Sequence, residues 1–285
     1  MGRIRDTLEL VKFSHTLFAL PFAAAAALTA AGGLPSGRIC AGILIAMAGA
    51  RTAAMAFNRI ADLKYDKANP RTASRPLASG ALSPAWAWGV TAAAAGLFVA
   101  SCAWLLNPLC LRLSPVALLW VLGYSYAKRF TSSVHLWLGV GLGMAPVGAW
   151  AAVGGDLGHP APWILGTAVA LWTAGFDLLY ACQDADFDRK MGLHAVPARF
   201  GVAFALRLST FLHIAAAGLL AWFVHAAGLG AFSWMAVGIV GAILVWEHTL
   251  VKPDDLSRVN AAFFTANAAV SFMVSAGVAA DVLLR

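Results

Sequence analysis

Residues 162–180 read PWILGTAVALWTAGFDLLY, and residues 181–188 follow directly as ACQDADFD. The first stretch carries one charge, Asp177, in a run long enough as an α-helix to cross a bilayer core of about 30 Å. The second carries Asp184, Asp186 and Asp188 within five residues. An apolar helix that ends in a cluster of carboxylates implies a membrane-embedded chain with polar chemistry at one end of its spans.

The rest of the chain repeats the first half of that pattern. Of its 285 residues, 61% are hydrophobic and 12% are charged, where a soluble domain carries about a quarter charged residues. Apolar runs recur near 16–34, 39–58, 85–106, 109–124, 134–153, 162–180, 203–227, 231–248 and 260–283. The expected fold is therefore an all-α integral membrane protein: a bundle of nine transmembrane helices forming a single polytopic domain over residues 1–285. The run after the short charged N-terminus lacks a small-residue cleavage site, so it reads as a retained first span. Cys40, Cys102, Cys110 and Cys182 form no CxxC pair and have no histidine at metal-ligand spacing, so they read as small apolar fillers. The net charge of +7 does not point to nucleic acid, because the basic residues sit at the ends of apolar spans.

Those basic residues orient the chain. Sixteen fall at the N-terminus or in the connections after the even-numbered spans, and three (Arg38, Arg112, Arg285) fall on the other side. Basic loops stay inside, which predicts a cytoplasmic N-terminus and an outside or periplasmic C-terminus in a cytoplasmic (inner) membrane. Six of the thirteen acidic residues cluster at the cytoplasmic ends of spans two and six. Acidic residues contribute little to topology, so their concentration there calls for a chemical reason.

After span two, Asn58, Asp62 and Asp66 are spaced i, i+4, i+8, which stacks them along one face of a helix. Two carboxylates and an amide oxygen are hard ligands that suit Mg²⁺, a cation held by one or two carboxylates plus substrate phosphates. Arg51 lies two turns deeper, within the span, where an ionisable residue marks function by default. The competing reading pairs Asp62 and Asp66 with Lys64 and Lys67 on a wet helix end. The following loop, NPRTASRPL over residues 69–77, has prolines that end the helix and presents Arg71 and Arg75, which serve either as topology anchors or as bidentate phosphate ligands.

After span six, Asp177, Tyr180, Asp184 and Asp188 share one helical stripe, while Asp186 lies roughly 200° around the helix from Asp184 and ranks as the weakest ligand. A DxxxD pair therefore occurs twice, each after a span running in the same direction. Two such ends facing one another would hold divalent ions bridged by a diphosphate.

At these residues the chain resembles the UbiA superfamily of intramembrane prenyltransferases. The family pattern of Asn-x-x-x-Asp-x-x-x-Asp after the second span matches Asn58, Asp62 and Asp66. Its Asp-x-x-x-Asp after the sixth matches Asp184 and Asp188, and its Tyr followed by Lys-Arg after the fourth matches Tyr124, Tyr126, Lys128 and Arg129. Tyr180 and Lys12 also fit. Many members have Asp after the motif's Asn, where this chain has Arg59. The wording around both motifs looks most like bacterial 4-hydroxybenzoate polyprenyltransferases, some of which are thought to prenylate a dihydroxynaphthoate on a menaquinone route.

The resemblance implies Mg²⁺-dependent transfer of a polyprenyl group from polyprenyl diphosphate to an aromatic acid in respiratory quinone biosynthesis. Asn58, Asp62, Asp66, Asp184 and Asp188 would hold the metal. Lys128, Arg129, Arg71 and Arg75 would meet the diphosphate. Arg51, Lys12, His15 and Tyr180 would meet the acceptor, with His15, His135 and His194 equally readable as structural hydrogen-bond donors. A membrane transporter is the non-enzyme rival, although its charges would sit near the midplane. A phosphatidyl-alcohol transferase would require an Asp-Gly-x-x-Ala-Arg spacing that the chain lacks.

Overall fold

A computed structural model describes residues 2–10 and 18–284. Its α-helices in chain order are α1 Gly2–Leu10, α2 Leu20–Ala31, α3 Gly37–Ala61, α4 Leu63–Ala68, α5 Pro84–Trp104, α6 Pro108–Ala127 and α7 Val134–Ala152. They continue as α8 Ala161–Ala181, α9 Ala185–Lys190, α10 Val196–Phe200, α11 Val202–Ala226, α12 Ala231–Thr249, α13 Val259–Ala261 and α14 Asn267–Leu283. Among the described residues there are no β-strands, and eight helical segments are long and apolar enough to cross a membrane.

The first expected span is represented by α2, twelve residues long. It stops early because Gly32 adopts φ +61° and its N–H, with that of Gly33, closes on the carbonyls of Leu28 and Thr29. This left-handed glycine cap ends the helix before residue 34. The fourth expected span, the shortest in the sequence, instead runs over Pro108–Ala127 despite Pro115 within it. Proline deprives the carbonyl four residues earlier of its N–H donor. The Ser114 hydroxyl donates to that carbonyl, Leu111, at 2.8 Å, which keeps the backbone satisfied in lipid.

The chain divides into two compact units. One comprises Met1–Thr16 with Gly37–Tyr126. Within it α3 packs along α5, and a methyl added at Gly49 would stand 2.9 Å from backbone atoms of Ala94 and Phe98. Ser83 and Pro84 start α5, with the Ser83 hydroxyl accepting from the Trp86 N–H at 3.2 Å.

The other unit comprises Leu17–Ser36 with Ala127–Arg285 and is centred on α8, which packs against α7 and α11. The α7–α8 seam is built from Gly139, Gly143 and Gly166, where a methyl at Gly139 would fall on the Ala170 carbonyl oxygen and one at Gly143 on that of Gly166. Small residues let helix backbones approach in lipid, where packing drives association. At the end of α14 the Asp281 carboxylate accepts from the N–H groups of Gly230, Phe232 and Ser233, capping α12 from a neighbouring helix. A π-helical turn, Ala262–Ala266, sits between α13 and α14, and the Asn267 side chain donates to the Phe263 carbonyl at 2.9 Å. Beside it lies a buried polar network in which His213 donates to the Trp172 carbonyl at 3.1 Å and meets His248 at 3.0 Å.

Gly139→Val is expected to destabilise the α7–α8 seam by about 1–3 kcal/mol. Gly148→Val, which meets open space, is expected to be tolerated. Thermal unfolding in detergent separates the two.

Candidate active site: two acidic helix ends

In the first unit the expected stripe runs through a break in the helix. The α-helix α3 stops at Ala61, and Asp62 takes φ −91°, ψ 5° before α4 begins. The break leaves the register intact, because the Asp62 N–H donates to the Asn58 carbonyl and the Asp66 N–H to the Asp62 carbonyl, each at 2.8 Å. Asn58, Asp62 and Asp66 are thus linked by their own backbone, and both carboxylates are buried.

Asp66 does not pair with Lys67; its Oδ1 accepts from Arg75 at 2.7 Å. The loop that carries Arg75 is held in turn by Asp66, whose carbonyl accepts from the Thr72 hydroxyl at 3.1 Å. Asn69 opens the loop by accepting from the Arg71 N–H at 3.0 Å, the side-chain turn expected of Asn before Pro. Arg71 is exposed, whereas Leu77 is buried and fixes the far end of the loop.

Arg59 directly follows the Asn of the first motif. It is buried and donates to the Leu10 carbonyl at 3.4 Å and to Asn58 Oδ1 at 3.5 Å. Asn58 Nδ2 in turn donates to Asp62 Oδ2 at 3.2 Å. A guanidinium here therefore orients Asn58 and ties α3 to the last turn of α1. Nothing in the sequence alone indicated that use. Two turns deeper, the Arg51 Nε is buried with no hydrogen-bond partner among the described residues.

The second unit repeats the break. After α8 the chain passes through a 3₁₀ turn, Cys182–Asp184, and Asp184 takes φ −103°, ψ 5° before the six-residue α9. In both units the first Asp of the DxxxD pair stands at the helix junction and the second is the fourth residue of a short helix. Both junctions lie in the sparsely populated bridge region, where active-site residues concentrate. Asp188 is buried and Asp184 half-buried. Asp186 is exposed and pairs with Arg189 at 3.1 Å.

The basic pair after α6 is tied to this acidic end. The His194 N–H donates to the Lys128 carbonyl at 2.7 Å, and the Leu193 N–H to the Asp188 carbonyl at 2.8 Å. Tyr180 is half-buried and stacks with Phe263 at 4.4 Å between ring centroids, next to Phe176 and Phe18. These phenylalanines are not identifiable from sequence, where an aromatic in a span reads as packing. Lys12 and His15 lie outside the described residues.

Among the described residues, no group of three or more His, Cys, Asp or Glu side chains could hold a metal ion by itself. Each helix end instead offers two carboxylates, the donor set through which Mg²⁺ is bound together with substrate phosphates.

An all-helical membrane fold in which two spans end in paired carboxylates defines the class: a polytopic membrane protein with its acidic chemistry gathered at helix ends. The chain belongs to the UbiA prenyltransferase family, which it matches over residues 19–270. It is 36% identical over 176 residues to the 4-hydroxybenzoate octaprenyltransferase of Shewanella amazonensis, a match covering 62% of this chain and 60% of that protein. It is 31% identical over 228 residues to the 4-hydroxybenzoate solanesyltransferase of Synechocystis, covering 77% of this chain and 75% of that one. Among solved structures, the apo UbiA homologue of Aeropyrum pernix K1 is 39% identical with a TM-score of 0.86, covering 95% of this chain and 98% of that one. A UbiA homologue from Archaeoglobus fulgidus, bound to DMAPP and Mg²⁺, shares the fold at 18% identity and a TM-score of 0.69, covering 95% of this chain and 99% of that one.

Because Arg75 bonds Asp66 directly, Arg75→Ala is expected to weaken use of the headgroup-bearing substrate about tenfold, seen as a raised KM. Arg38→Ala, in the first turn of α3 at the end away from Asn58, is expected to leave KM unchanged.

Proposed function

We propose that this protein transfers a polyprenyl group from its diphosphate to an aromatic acid of the 4-hydroxybenzoate type, in respiratory quinone biosynthesis. The observation that carries the reading is the doubled junction: Asp62 and Asp184 at matching helix breaks, with Asp66 and Asp188 buried one turn on. Buried carboxylates at membrane-helix ends are costly unless a guanidinium, as Arg75 for Asp66, or a bound metal ion offsets their charge. The names of the relatives and the Mg²⁺ and prenyl diphosphate ligands of the Archaeoglobus homologue support the same chemistry.

In this reading Asn58, Asp62, Asp66, Asp184 and Asp188 hold Mg²⁺ with the substrate diphosphate. When bound, the metal draws negative charge from the diphosphate as its bond to the prenyl carbon breaks. Lys128, Arg129, Arg71 and Arg75 stabilise the departing diphosphate through charge-assisted hydrogen bonds. Tyr180 presents its ring to the allylic cation, and the apolar walls keep water from it. A ring carbon of the acceptor takes the prenyl group and loses its proton. Arg51 takes the acceptor carboxylate, an assignment favoured by its depth in α3 and its unpartnered Nε. Lys12 and His15 are the next candidates for that carboxylate in this reading. The motif-bearing ends face the cytoplasm and the C-terminus lies outside, as the basic loops require.

Dihydroxynaphthoate is the second acceptor consistent with these motifs, because they engage the diphosphate and leave the ring unread. Asp62→Ala and Asp184→Ala are each expected to abolish radiolabelled prenyl transfer in membranes, without rescue by added Mg²⁺. Full activity in both would overturn the assignment. Product mass spectrometry with 4-hydroxybenzoate against dihydroxynaphthoate decides the acceptor. Arg51→Ala is expected to raise the KM for whichever acid is used by about 10–100-fold while sparing that for the diphosphate.

A further inference from the structure

The carboxylate Asp177 stands seven residues before Asp184, at the foot of α8, and shares the sequence stripe of the acidic motif. Its Oδ2 lies 2.6 Å from His135 Nδ1, at the start of α7 and 42 positions away in sequence. The other nitrogen of the same ring, Nε2, receives the backbone N–H of Val196 at 3.3 Å. That contact assigns the tautomer. Because Nε2 accepts, it carries no proton; the ring proton is on Nδ1 and is donated to Asp177. His135 is nearly inaccessible, at 4% exposure, so the bridge is shielded from competing water.

Val196 is the first residue of α10 and closes the segment that contains α9. Val196 is buried in the core cluster with Leu178, Leu179 and Leu206, and polar bonds add to that packing. The Leu193 N–H bonds the Asp188 carbonyl, the His194 N–H bonds the Lys128 carbonyl at 2.7 Å, and Arg189 Nε donates to the Ala198 carbonyl at 3.1 Å. The His135 bridge links this segment to the Asp177 carboxylate on α8. A histidine oriented by a carboxylate is the common device by which residues outside the ligand shell fix the ligands themselves.

We propose that Asp177 and His135 are positioning residues. Asp177 orients the imidazole, the imidazole anchors Val196, and the anchored segment holds Asp184 and Asp188 beside Lys128. The catalytic part of the inference rests on the function proposed above; the anchoring does not.

The substitution Asp177→Asn retains an oxygen that accepts from Nδ1, so it separates positioning from metal ligation. D177N is expected to keep prenyl transfer within about threefold of wild type. D177A and H135A are each expected to lower it about 10–100-fold and to raise the Mg²⁺ concentration at half-activity. The double variant D177A/H135A should be no worse than the weaker single one, because both remove the same anchor. Hydrogen-exchange mass spectrometry of the purified full chain without substrate supplies an independent arm. Residues 185–200 should exchange faster in D177A and H135A and at the wild-type rate in D177N. If the alanine variants do not fold, H135N replaces them, since its shorter amide still reaches Asp177 but not Val196. D177N as inactive as D177A would overturn the proposal, because the charge itself would then be needed. Wild-type exchange in H135A or H135N would also overturn it. Wild-type protein that transfers no prenyl group would sink the proposed function, and the exchange arm would still decide the anchor.

Discussion

A backbone in lipid has no water to fall back on, so each peptide group in a span must bond within its helix. The architecture follows from that constraint. It confines polar chemistry to helix ends and to the few breaks that neighbouring groups can satisfy. Pro115 is tolerated because Ser114 takes over the Leu111 carbonyl, and the π turn before α14 is matched by the Asn267 amide. Carboxylates obey the same rule: Asp62 and Asp184 stand where their helices break, and the bonds around each break stay closed.

The breaks also change what the acidic motifs can do. On an unbroken helix, Asn58, Asp62 and Asp66 would form a straight ladder along one face. With Asp62 at the junction, α4 can leave the line of α3, and the loop behind it folds back so that Arg75 reaches Asp66. The second unit uses the same device with other supports: the His194–Lys128 bond and the bridge from Asp177 through His135 to Val196. Arg59 belongs to this class of support. In the motif it looks like a lost carboxylate, and in the fold it orients Asn58.

In the function proposed above, the diphosphate would be met by residues of the short-range motifs and the acceptor by a single side chain at depth. Arg51 is the candidate for that role, a guanidinium inside a span whose Nε is buried with no partner among the described residues.

Much of this was legible in the sequence for one reason: in lipid, hydropathy and helix length are the dominant energies, and both are local. The spans, the all-helical class and the two DxxxD pairs came from composition and spacing alone. The early stop of α2 depended on how Gly32 caps its helix, and the extension of α6 through Pro115 on a serine hydroxyl one residue away. The sequence placed Asp66 near Lys67, yet the pairing went to Arg75, because a folded loop brought the guanidinium within 2.7 Å. It placed Asp177 on the acidic stripe without a role, and the tertiary structure paired it with His135, 42 positions away. Periodicity determines which face a residue occupies. Which partner it meets there is decided by long-range packing, and only the folded chain specifies that.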